Sequence, residues 1–452
     1  MLIERALCPF FNIEIVKNTD TIVFMKKIPE LLAPAGTLDA FKTAVLYGAD
    51  AIYAGLPGFS MRARAKIDVD GVKQGIEFAH AHGKKVYLAF NLFAHDTDFA
   101  NMPRVAEIIK YLHPDALIVA DAGVMMWVRE HFPDMPLHVS TQANICSAAS
   151  VKFWQNAGAS LCVLAREVSH REFCSIREQC PDVKLEIFVH GAMCMAYSGR
   201  CLLSNYITGR PSNRGACAQL CRWKYDVILR EVESGVEMPI DEDEHGAYIM
   251  NSKDLCLMPR LAEVLESNPD SLKIEGRNRS EYYVGSVTRA YRNAIDSWAR
   301  DPEHFNPDEF MADLSVLESR GYTTAFFDGP LPDTAHNYQT TKSDSVYHAA
   351  GVITAVNSAP VGRGTAAPLA VTDGGGITLE LRNEIRAGDE ITFLLPHDKF
   401  TIKLDKIINA KNGDVLPKMS AGQGNALLIP RDIIPAQYLP QMQQYILAYK
   451  HK

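Results

Sequence analysis

Three features that would place the chain at a membrane or on nucleic acid are missing from its sequence. There is no run of about 18 apolar residues, the length that a membrane-spanning helix requires. The first 24 residues include Glu4, Arg5, Glu14, Lys17 and Asp20, which interrupt the apolar core that a secretory signal needs. Positive charge is not in excess, because 46 basic residues face 54 acidic ones and the formal net charge is −8. We therefore expect a cytoplasmic protein without membrane contact, in which any nucleic-acid site is a local basic patch.

The motifs of several common enzyme classes are also missing. The chain contains no H-E-x-x-H and no G-x-S-x-G, so neither a zinc peptidase helix nor a hydrolase nucleophile elbow is present. No G-x-G-x-x-G follows the first predicted strand, which argues against a dinucleotide-binding sheet.

The length and composition are those of an ordinary globular protein with about two or three domains. Of the 452 residues, 47% are hydrophobic and 22% are charged. Patterned sequence begins directly after Met25, so we predict that residues 1–27 are an N-terminal extension. The extension is either a translated leader or loose segment, or a short extra element packed on the body.

Between residues 28 and 300, short apolar runs alternate with amphipathic helical stretches. The runs cover residues 30–36, 51–55, 85–91, 116–121, 136–143, 161–167, 184–191, 247–255 and 271–277. Strands that are apolar on both faces and separated by helices are typical of a parallel sheet wrapped in helices. Eight or nine such units fit a (β/α)8 TIM-like barrel better than an open doubly wound sheet.

Two regions depart from this alternation. A cysteine-rich insertion at about 192–246 delays the next strand, and the repeat stops near residue 300. We predict a helical connector over 301–346, followed at 347–440 by a small all-β barrel or sandwich with short strands and turn signals. The β domain would either grip an RNA or serve as a packing or dimerisation module.

Polar residues stand at the carboxyl ends of the predicted strands, where TIM barrels carry their chemistry. They are Asn91, Asp121, Gln142, Arg166, Glu167, His190, Asn251, Lys273, Glu275 and Arg277. Any one of them could simply cap the next helix, and Asp121 before AGVMMWV is well placed to do so. Taken together, they predict a polar pocket at the mouth of the barrel.

Four of the ten cysteines cluster within 28 residues in the insertion. Cys194, Cys201, Cys217 and Cys221 have the spacing C-x6-C-x15-C-x3-C. Thiolates select zinc or iron–sulfur clusters, and only the last pair has the usual zinc spacing. The spacing therefore favours a 4Fe–4S cluster over zinc, and both over four unrelated thiols. The remaining cysteines between residues 146 and 256 have the pattern of core residues.

The sequence around these cysteines is locally basic. From Arg200 to Arg230 there are six basic residues and one acid, Asp226, with Tyr206 and Trp223 among the interleaved aromatics. Basic side chains bind phosphates and aromatic rings stack on bases, so the segment predicts an RNA-binding patch. Its members are Arg210, Arg214, Arg222, Lys224 and Trp223. The alternative is an ordinary solvated loop.

Several segments together resemble the collagenase-like peptidase family of unassigned catalytic type. They are ELLAPAGTLDAFKTAVLYGADAIYAG, FVHGAMCMAYSGRCLLSNY, GACAQLCRWKY, YIMNSKDL and SLKIEGRNRSEYYV. The resemblance covers about residues 28–440, and within the family it is strongest to a branch that hydroxylates the wobble uridine of tRNA. It implies a tRNA substrate, oxygen-independent formation of 5-hydroxyuridine, and prephenate as the oxygen donor. It also implies an iron–sulfur cluster on Cys194, Cys201, Cys217 and Cys221, with the iron–sulfur assembly machinery as a partner. Other branches act on ribosomal RNA or in ubiquinone hydroxylation.

In this interpretation, the barrel mouth holds a small dianionic co-substrate. Arg166, Lys273 and Arg277 would bind its carboxylates, with Asn91 and Gln142 as further substrate-binding residues. Glu275, His190 and Glu167 are the candidates for proton transfer, although glutamates in such a position more often pair with the neighbouring cations.

A peptidase remains the alternative function, as the family name implies. Without a metal or serine motif it would need a Cys–His pair outside the cysteine cluster. His190 lies close to Cys194 in sequence, but the other three cysteines explain Cys194 better as a cluster ligand.

Overall fold

The structure is a computed structural model that describes most of the chain. The described residues are 4–8, 13–18, 21–57, 67–193, 200–210, 217–222, 228–230, 237–239, 253–330, 347–356, 375–422 and 424–451. Their strands are β1 (Glu4–Cys8), β2 (Ile13–Asn18), β3 (Thr21–Lys26), β4 (Glu30–Ala35), β5 (Ala51–Gly55), β6 (Lys85–Phe90), β7 (Ala116–Val119), β8 (Leu137–Val139), β9 (Leu161–Val163), β10 (Lys184–Ala192), β11 (Ile228–Arg230), β12 (Glu237–Pro239), β13 (Asp254–Cys256), β14 (Ser271–Ile274), β15 (Tyr322–Thr323), β16 (Tyr347–Val356), β17 (Gly376–Leu381), β18 (Ile385–Arg386), β19 (Glu390–Leu394), β20 (Lys399–Lys403), β21 (Ile407–Asn409), β22 (Val415–Leu416), β23 (Lys418–Met419), β24 (Ala426–Pro430) and β25 (Leu447–His451). Their α-helices are α1 (Leu38–Leu46), α2 (Val69–Ala81), α3 (Asp96–Phe99), α4 (Met102–Leu112), α5 (Ala122–His131), α6 (Ala148–Asn156), α7 (His170–Gln179), α8 (Leu203–Thr208), α9 (Leu261–Glu266), α10 (Glu281–Arg300) and α11 (Asp308–Ser315). Short 3-10 helices cover Thr141–Ala143, Leu220–Arg222, Met258–Arg260, Arg431–Ile433 and Leu439–Gln441.

Eight parallel strands close into a barrel in the order β4, β5, β6, β7, β8, β9, β10 and β14. Strand β14 closes the ring because it pairs in parallel with both of its neighbours. Leu272 lies opposite Ile187 of β10 on one side and opposite Leu31 of β4 on the other. The predicted TIM-like barrel is confirmed.

The strands are apolar on both faces because one face lines the barrel interior and the other packs under the helices. Along β5, Ala51 and Tyr53 belong to the interior cluster, whereas Ile52 and Ala54 belong to the core beneath the helices. The other members of the interior cluster are Leu32, Tyr87, Ala89, Ala116 and Ile118. Since several of these side chains are small, the interior has room for polar groups from β8, β10 and β14.

Many of the helices begin at a residue whose side chain caps the first turn. Asp121 Oδ1 accepts a hydrogen bond from the Val124 backbone N–H at 3.1 Å, which confirms its predicted capping role. The same type of cap is found at Thr37, Asp68, Ser147, Ser169 and Ser280. None of the helices within the described ranges is long and apolar enough to cross a bilayer.

The described part of the run 247–255, for which the pattern predicted a barrel strand, lies outside the ring of eight parallel strands. Residues 247–252 lie outside the described residues, and β13 begins only at Asp254. It pairs antiparallel with the end of β10, where Cys256 lies opposite His190, and in parallel with β15. The chain therefore folds back along β10 before it enters β14.

The predicted N-terminal extension contains the strands β1, β2 and β3. They pair antiparallel in that order as a three-stranded sheet of their own. After the barrel in sequence, the predicted connector contains α11 and β15. Residues 331–346 of the connector lie outside the described part of the chain.

The C-terminal region is an antiparallel sheet with the strand order β20, β19, β25, β16, β17, β24, β21 and β22. It has its own core, which includes Ile353, Leu379 and Phe393. The predicted limit at residue 440 is wrong, because β25 (Leu447–His451) lies in the middle of the sheet between β16 and β19. The sequence LAYKH is too short and too mixed in character to stand out as a strand by itself.

This β domain packs directly on the helices α1 and α10 of the barrel. The Tyr47 hydroxyl at the end of α1 accepts a hydrogen bond from the Leu447 N–H at 2.9 Å. Arg289 of α10 donates from Nε to the carbonyl of Leu395 at 2.6 Å and pairs with Asp313. Gly285 permits the close approach, because a Cβ there would lie 2.5 Å from Leu447 Cδ1.

Candidate active site

Three cations and two aromatic rings alternate from the mouth of the barrel into its interior. Arg166 Cζ lies 4.1 Å from the centroid of the Phe188 ring, and Lys273 Nζ lies 5.6 Å from the same centroid. Lys273 Nζ is also 4.5 Å from the centroid of Tyr53, and Arg277 Cζ is 5.6 Å from it. The structure thus brings together the three cations that the sequence predicted, and the rings hold them by cation–π contacts.

Lys273 is located differently from the prediction. It belongs to β14 itself, its side chain points into the barrel, and its Nζ lies 2.7 Å from Glu186 Oε1. Glu186 Oε2 accepts a second hydrogen bond from Ser271 Oγ at 2.8 Å. Because both charges of the pair are buried, Lys273 and Glu186 compensate each other, and Lys273 is not an isolated cation.

Arg166 and Glu275 form the second charged pair at the mouth. Arg166 Nη2 lies 3.4 Å from Glu275 Oε2, and its Nη1 donates to the Ala192 carbonyl at 2.6 Å. This confirms that Glu275 pairs with a cation. Arg166 and Arg277 follow the ends of β9 and β14, and guanidinium groups suit a ligand that carries carboxylates.

Glu167 follows Arg166 in sequence but occupies a different environment. It lines a cavity of about 790 Å³ together with Ser169, His170 and Phe326. Burial raises the pKa of its carboxyl group, and the nearby Arg166 offsets only part of that effect. Its Oε2 is buried and has no hydrogen-bond partner among the described residues. The arrangement suits a group that carries a proton.

His190 is buried on the outer side of the barrel wall. Its ring centroid lies 5.3 Å from that of Tyr322 and 5.6 Å from that of Tyr291, residues of β15 and α10. Only 1% of the residue is exposed, and neither ring nitrogen has a hydrogen-bond partner in the described part of the chain. Burial lowers the pKa of His190 to about 4, so the ring is neutral at pH 7.

Asn91 and Gln142 are both buried at the carboxyl ends of β6 and β8. Gln142 lies in the short 3-10 helix after β8, and its Oε1 accepts from Ser140 Oγ at 3.4 Å. Its Nε2 is buried without a hydrogen-bond partner in the described residues, which leaves a donor available for a ligand. Asn251, the remaining strand-end residue of the prediction, lies outside the described residues.

The cysteine segment is described in part. Cys201 lies just before α8, Cys221 lies in the 3-10 helix Leu220–Arg222, and Cys194 lies outside the described residues. The Gln219 N–H donates to Cys217 Sγ at 3.3 Å, a contact that suits a thiolate ligand. Within the described residues no three His, Cys, Asp or Glu side chains converge on a metal position. The four-cysteine ligand set therefore stays a prediction.

The predicted RNA-binding residues are likewise only partly described. Arg210 is half-buried at the end of α8, and its Nη2 donates to the Cys217 carbonyl at 3.4 Å. Arg214, Trp223 and Lys224 lie outside the described residues, as does the side chain of Arg222.

Sequence reasoning missed four residues of the barrel interior. Glu186 and His138 are polar residues in the middle of strands, and Tyr53 and Phe188 are aromatic residues within apolar runs. His138 packs edge-on against Tyr87 with 4.5 Å between ring centroids, and burial lowers its pKa to about 3. The available signal was an acid in the middle of an otherwise apolar strand, KLEIFVHG.

One cysteine–histidine contact bears on the peptidase alternative. In the first turn of α7, Cys174 Sγ lies 3.6 Å from His170 Nε2. However, partial burial raises the pKa of the Cys174 thiol, whereas a nucleophilic cysteine needs a lowered pKa. The contact is close enough for a Cys–His pair, but the raised pKa of the thiol does not favour the thiolate that thiol catalysis needs.

Known proteins resemble the chain over most of its length. The family described as "Peptidase family U32" matches residues 36–337. The "tRNA hydroxylation protein P" of Escherichia coli (strain K12) is 38% identical over 442 residues, covering 89% of this chain and 93% of that protein. The "tRNA hydroxylation protein P1" of Bacillus subtilis (strain 168) is 35% identical over 394 residues, covering 86% of this chain and 89% of that protein. The "23S rRNA 5-hydroxycytidine C2501 synthase" of E. coli is 35% identical over 268 residues, covering 59% of this chain and 39% of that protein.

Proposed function

The chain belongs to peptidase family U32, and from that membership we propose that it is an RNA-modifying enzyme that hydroxylates the wobble uridine of tRNA at C5. The observation that carries the proposal is the set of relatives named for tRNA hydroxylation, which match the chain across both of its domains. A relative named for rRNA 5-hydroxycytidine synthesis also supports hydroxylation of RNA. The enzyme would act in the cytoplasm.

The cations at the mouth support a dianionic oxygen donor such as prephenate. Arg166 and Arg277 are the cations best placed to bind its carboxylates because they follow the ends of β9 and β14, whereas Lys273 lies within β14 and pairs with Glu186 inside the barrel. Glu275 holds the Arg166 guanidinium in position, and the Gln142 amide donates a further hydrogen bond. These groups would bind and orient the donor at the end of the barrel, where β/α barrels carry out their chemistry.

Glu167 is the residue that we assign to proton transfer. Burial raises the pKa of its carboxyl group, so Glu167 keeps its proton to a higher pH than an ordinary carboxyl group does. His190 takes a structural role in this proposal, because its ring packs among tyrosines of α10 and β15.

Cys194, Cys201, Cys217 and Cys221 would hold an iron–sulfur cluster of the 4Fe–4S type. The hydrogen bond from the Gln219 N–H to Cys217 Sγ supports this assignment, because amide donors stabilise thiolate ligands. The cluster would supply redox or Lewis-acid chemistry to the hydroxylation.

The test is a nucleoside analysis of tRNA from a strain in which the gene is deleted. We expect the 5-oxyuridine nucleosides to disappear, to return with the wild-type gene, and to stay absent with Cys217→Ala. Cys174→Ala, which changes an exposed cysteine outside the cluster set, should restore them fully. An unchanged profile in a deletion strain without a paralogue would refute the proposal, and ribosomal RNA, quinones and peptides would be assayed next.

A further inference from the structure

Helix α8 presents an exposed face with one dominant aromatic residue. Tyr206 is 88% exposed, and beside it Leu202 and Ile207 are 67% and 49% exposed. A fully hydrated tyrosine next to two exposed aliphatic residues is an unusual arrangement for a free surface, and such patches mark binding sites.

Arg200 fixes this helix to the mouth of the barrel. The chain leaves the barrel at Ala192, at the end of β10. Arg200 Nε then donates to Asn144 Oδ1 at 2.8 Å, and its Cζ lies 5.3 Å from the centroid of the Phe93 ring. Phe93 follows β6, which lies across the ring of strands from β10, and Asn144 follows β8, two strands from β10. The segment that begins α8 is therefore held at the carboxyl end of the barrel, where Arg166 and Arg277 lie.

Further hydrogen bonds tie α8 to the cysteine segment. Ser204 Oγ on its buried side accepts from the Ala218 N–H at 2.9 Å. Arg210, after the end of the helix, donates to the Cys217 carbonyl at 3.4 Å. These contacts fix the orientation of the helix, so that Tyr206 is directed to solvent while the opposite side is bound to the protein.

The charge of the segment matches a polyanion. From residue 191 to residue 225 the sequence contains no Asp or Glu, but it contains Arg200, Arg210, Arg214, Arg222 and Lys224. A cation-rich segment with a projecting aromatic ring is the arrangement by which proteins bind unpaired nucleic acid, since phosphates meet the cations and a base stacks on the ring.

We infer that Tyr206 is a stacking platform for an unpaired base of an RNA loop, which docks over the barrel mouth between Arg200 and Arg210. The inference rests on the proposed RNA substrate and identifies the surface that receives it. Tyr206 does not take part in the reaction; it positions the loop so that another base reaches the cations of the mouth.

The experiment measures binding of a fluorescently labelled RNA hairpin with uridine in its loop to the full-length protein by anisotropy. We expect Tyr206→Ala to raise Kd roughly ten- to hundredfold, as loss of one stacked base predicts. Tyr206→Phe should stay within about threefold of wild type, because stacking needs the ring and not the hydroxyl. Tyr111→Ala is the matched control, since Tyr111 is also exposed but lies near the end of α4, at the opposite end of the barrel.

A fully paired RNA duplex of equal length tests the requirement for an unpaired base. It should bind wild type and Tyr206→Ala equally. The inference is overturned if Tyr206→Ala binds the hairpin like wild type, if the wild type binds no hairpin, or if Tyr206→Phe loses as much affinity as Tyr206→Ala. It is also overturned if sedimentation shows that Tyr206→Ala dissociates a dimer while hairpin binding is unchanged. Hydroxylation is scored separately, so an unchanged nucleoside profile together with Tyr206-dependent binding would refute the enzyme proposal alone.

Discussion

Lys273 Nζ lies 2.7 Å from Glu186 Oε1 inside the barrel, and both side chains are almost completely buried. Removing one partner would leave the other charge buried and unpaired, which costs about 3–5 kcal/mol. We therefore expect Lys273→Met and Glu186→Gln each to lower the free energy of unfolding by about that amount. The double variant should lose less than the sum of the two losses, because neither charge is then left alone.

Urea denaturation of the four proteins measures this coupling. Lys110→Met is the control, because its ion pair with Glu107 is exposed and should contribute less than about 1 kcal/mol. Strictly additive losses would show that the buried pair is not an energetic unit.

Arg166 should tolerate even a conservative substitution poorly. Arg166→Lys keeps the charge but cannot reach both the Ala192 carbonyl and Glu275 from one nitrogen. Loss of one charge-assisted hydrogen bond, worth about 1.5–3 kcal/mol, should lower the yield of modified nucleoside roughly ten- to hundredfold. The yield is measured by mass spectrometry in the complemented deletion strain. Arg104→Lys, an exposed arginine of α4, should leave the yield unchanged; equal yields from both variants would contradict the role of Arg166.

His190 should make the protein sensitive to acid. Its pKa of about 4 in the folded state lies below the 6.5 of an unfolded histidine, so the unfolded chain binds a proton first as the pH falls. The free energy of unfolding should be unaffected by this group above pH 7 and fall by up to about 3 kcal/mol between pH 6.5 and 4.

His190→Phe removes the titrating group and tests this contribution. The difference in stability between wild type and variant, from urea curves at pH 7.5, 6, 5 and 4, should shift in favour of the variant as the pH falls. A difference independent of pH would contradict the buried neutral ring. If the variant keeps full hydroxylation activity, His190 has the structural role that we assign to it.

The cysteine set should control iron content independently of activity. Protein purified without oxygen should contain iron and sulfide and absorb visible light. Cys201→Ala should lose nearly all of both, because three thiolates hold a four-cysteine cluster poorly. Cys256→Ala, which removes a buried thiol next to Tyr291, should keep them. If the wild-type protein contains zinc and no iron, the four cysteines form a zinc site and the prediction of an iron–sulfur cluster is wrong.

Arg289 should hold the β domain to the barrel. Its buried guanidinium donates to the carbonyls of Leu395 and Asp398 and pairs with Asp313. Arg289→Met leaves these groups without their hydrogen-bond donor and should lower the free energy of unfolding by about 2–4 kcal/mol. Arg386→Met is the control, since the exposed pair of Arg386 with Glu384 lies within the β domain and should contribute about 1 kcal/mol or less. Thermal unfolding and limited proteolysis measure both, and equal losses would contradict a special role for Arg289.

The barrel could be predicted from sequence because its strands are apolar on both faces and its helices repeat between them. The positions of Arg166 and Arg277 could also be predicted, because a polar residue that follows the carboxyl end of an apolar barrel strand lies at the mouth of the barrel. The C-terminal limit of the β domain could not be predicted, because β25 pairs with β16 and β19, which lie more than fifty residues away in sequence.

His190 shows why the alternation of side chains between the two faces of a strand cannot place every residue of β10. Glu186 and Phe188 both contact Lys273, so alternation would place His190 in the interior as well. A register irregularity between Phe188 and His190 turns the histidine to the outer side instead. A bulge of this kind depends on pairing with β14 and β13, which the local sequence does not specify. Glu186 was missed for the complementary reason, since its partner Lys273 lies far away along the chain.

The closure of the barrel between β10 and β14 has a consequence for how such proteins diversify. The chain leaves the ring at the end of β10 and re-enters it at β14, the strand that pairs with β10. The whole cysteine segment is therefore an insertion at this pair of strands, which we call the seam of the barrel. The entropy cost of such an insertion grows only with the logarithm of its length. Segments of different length can therefore be inserted at this seam while the barrel keeps its pairing, its register and its buried charges.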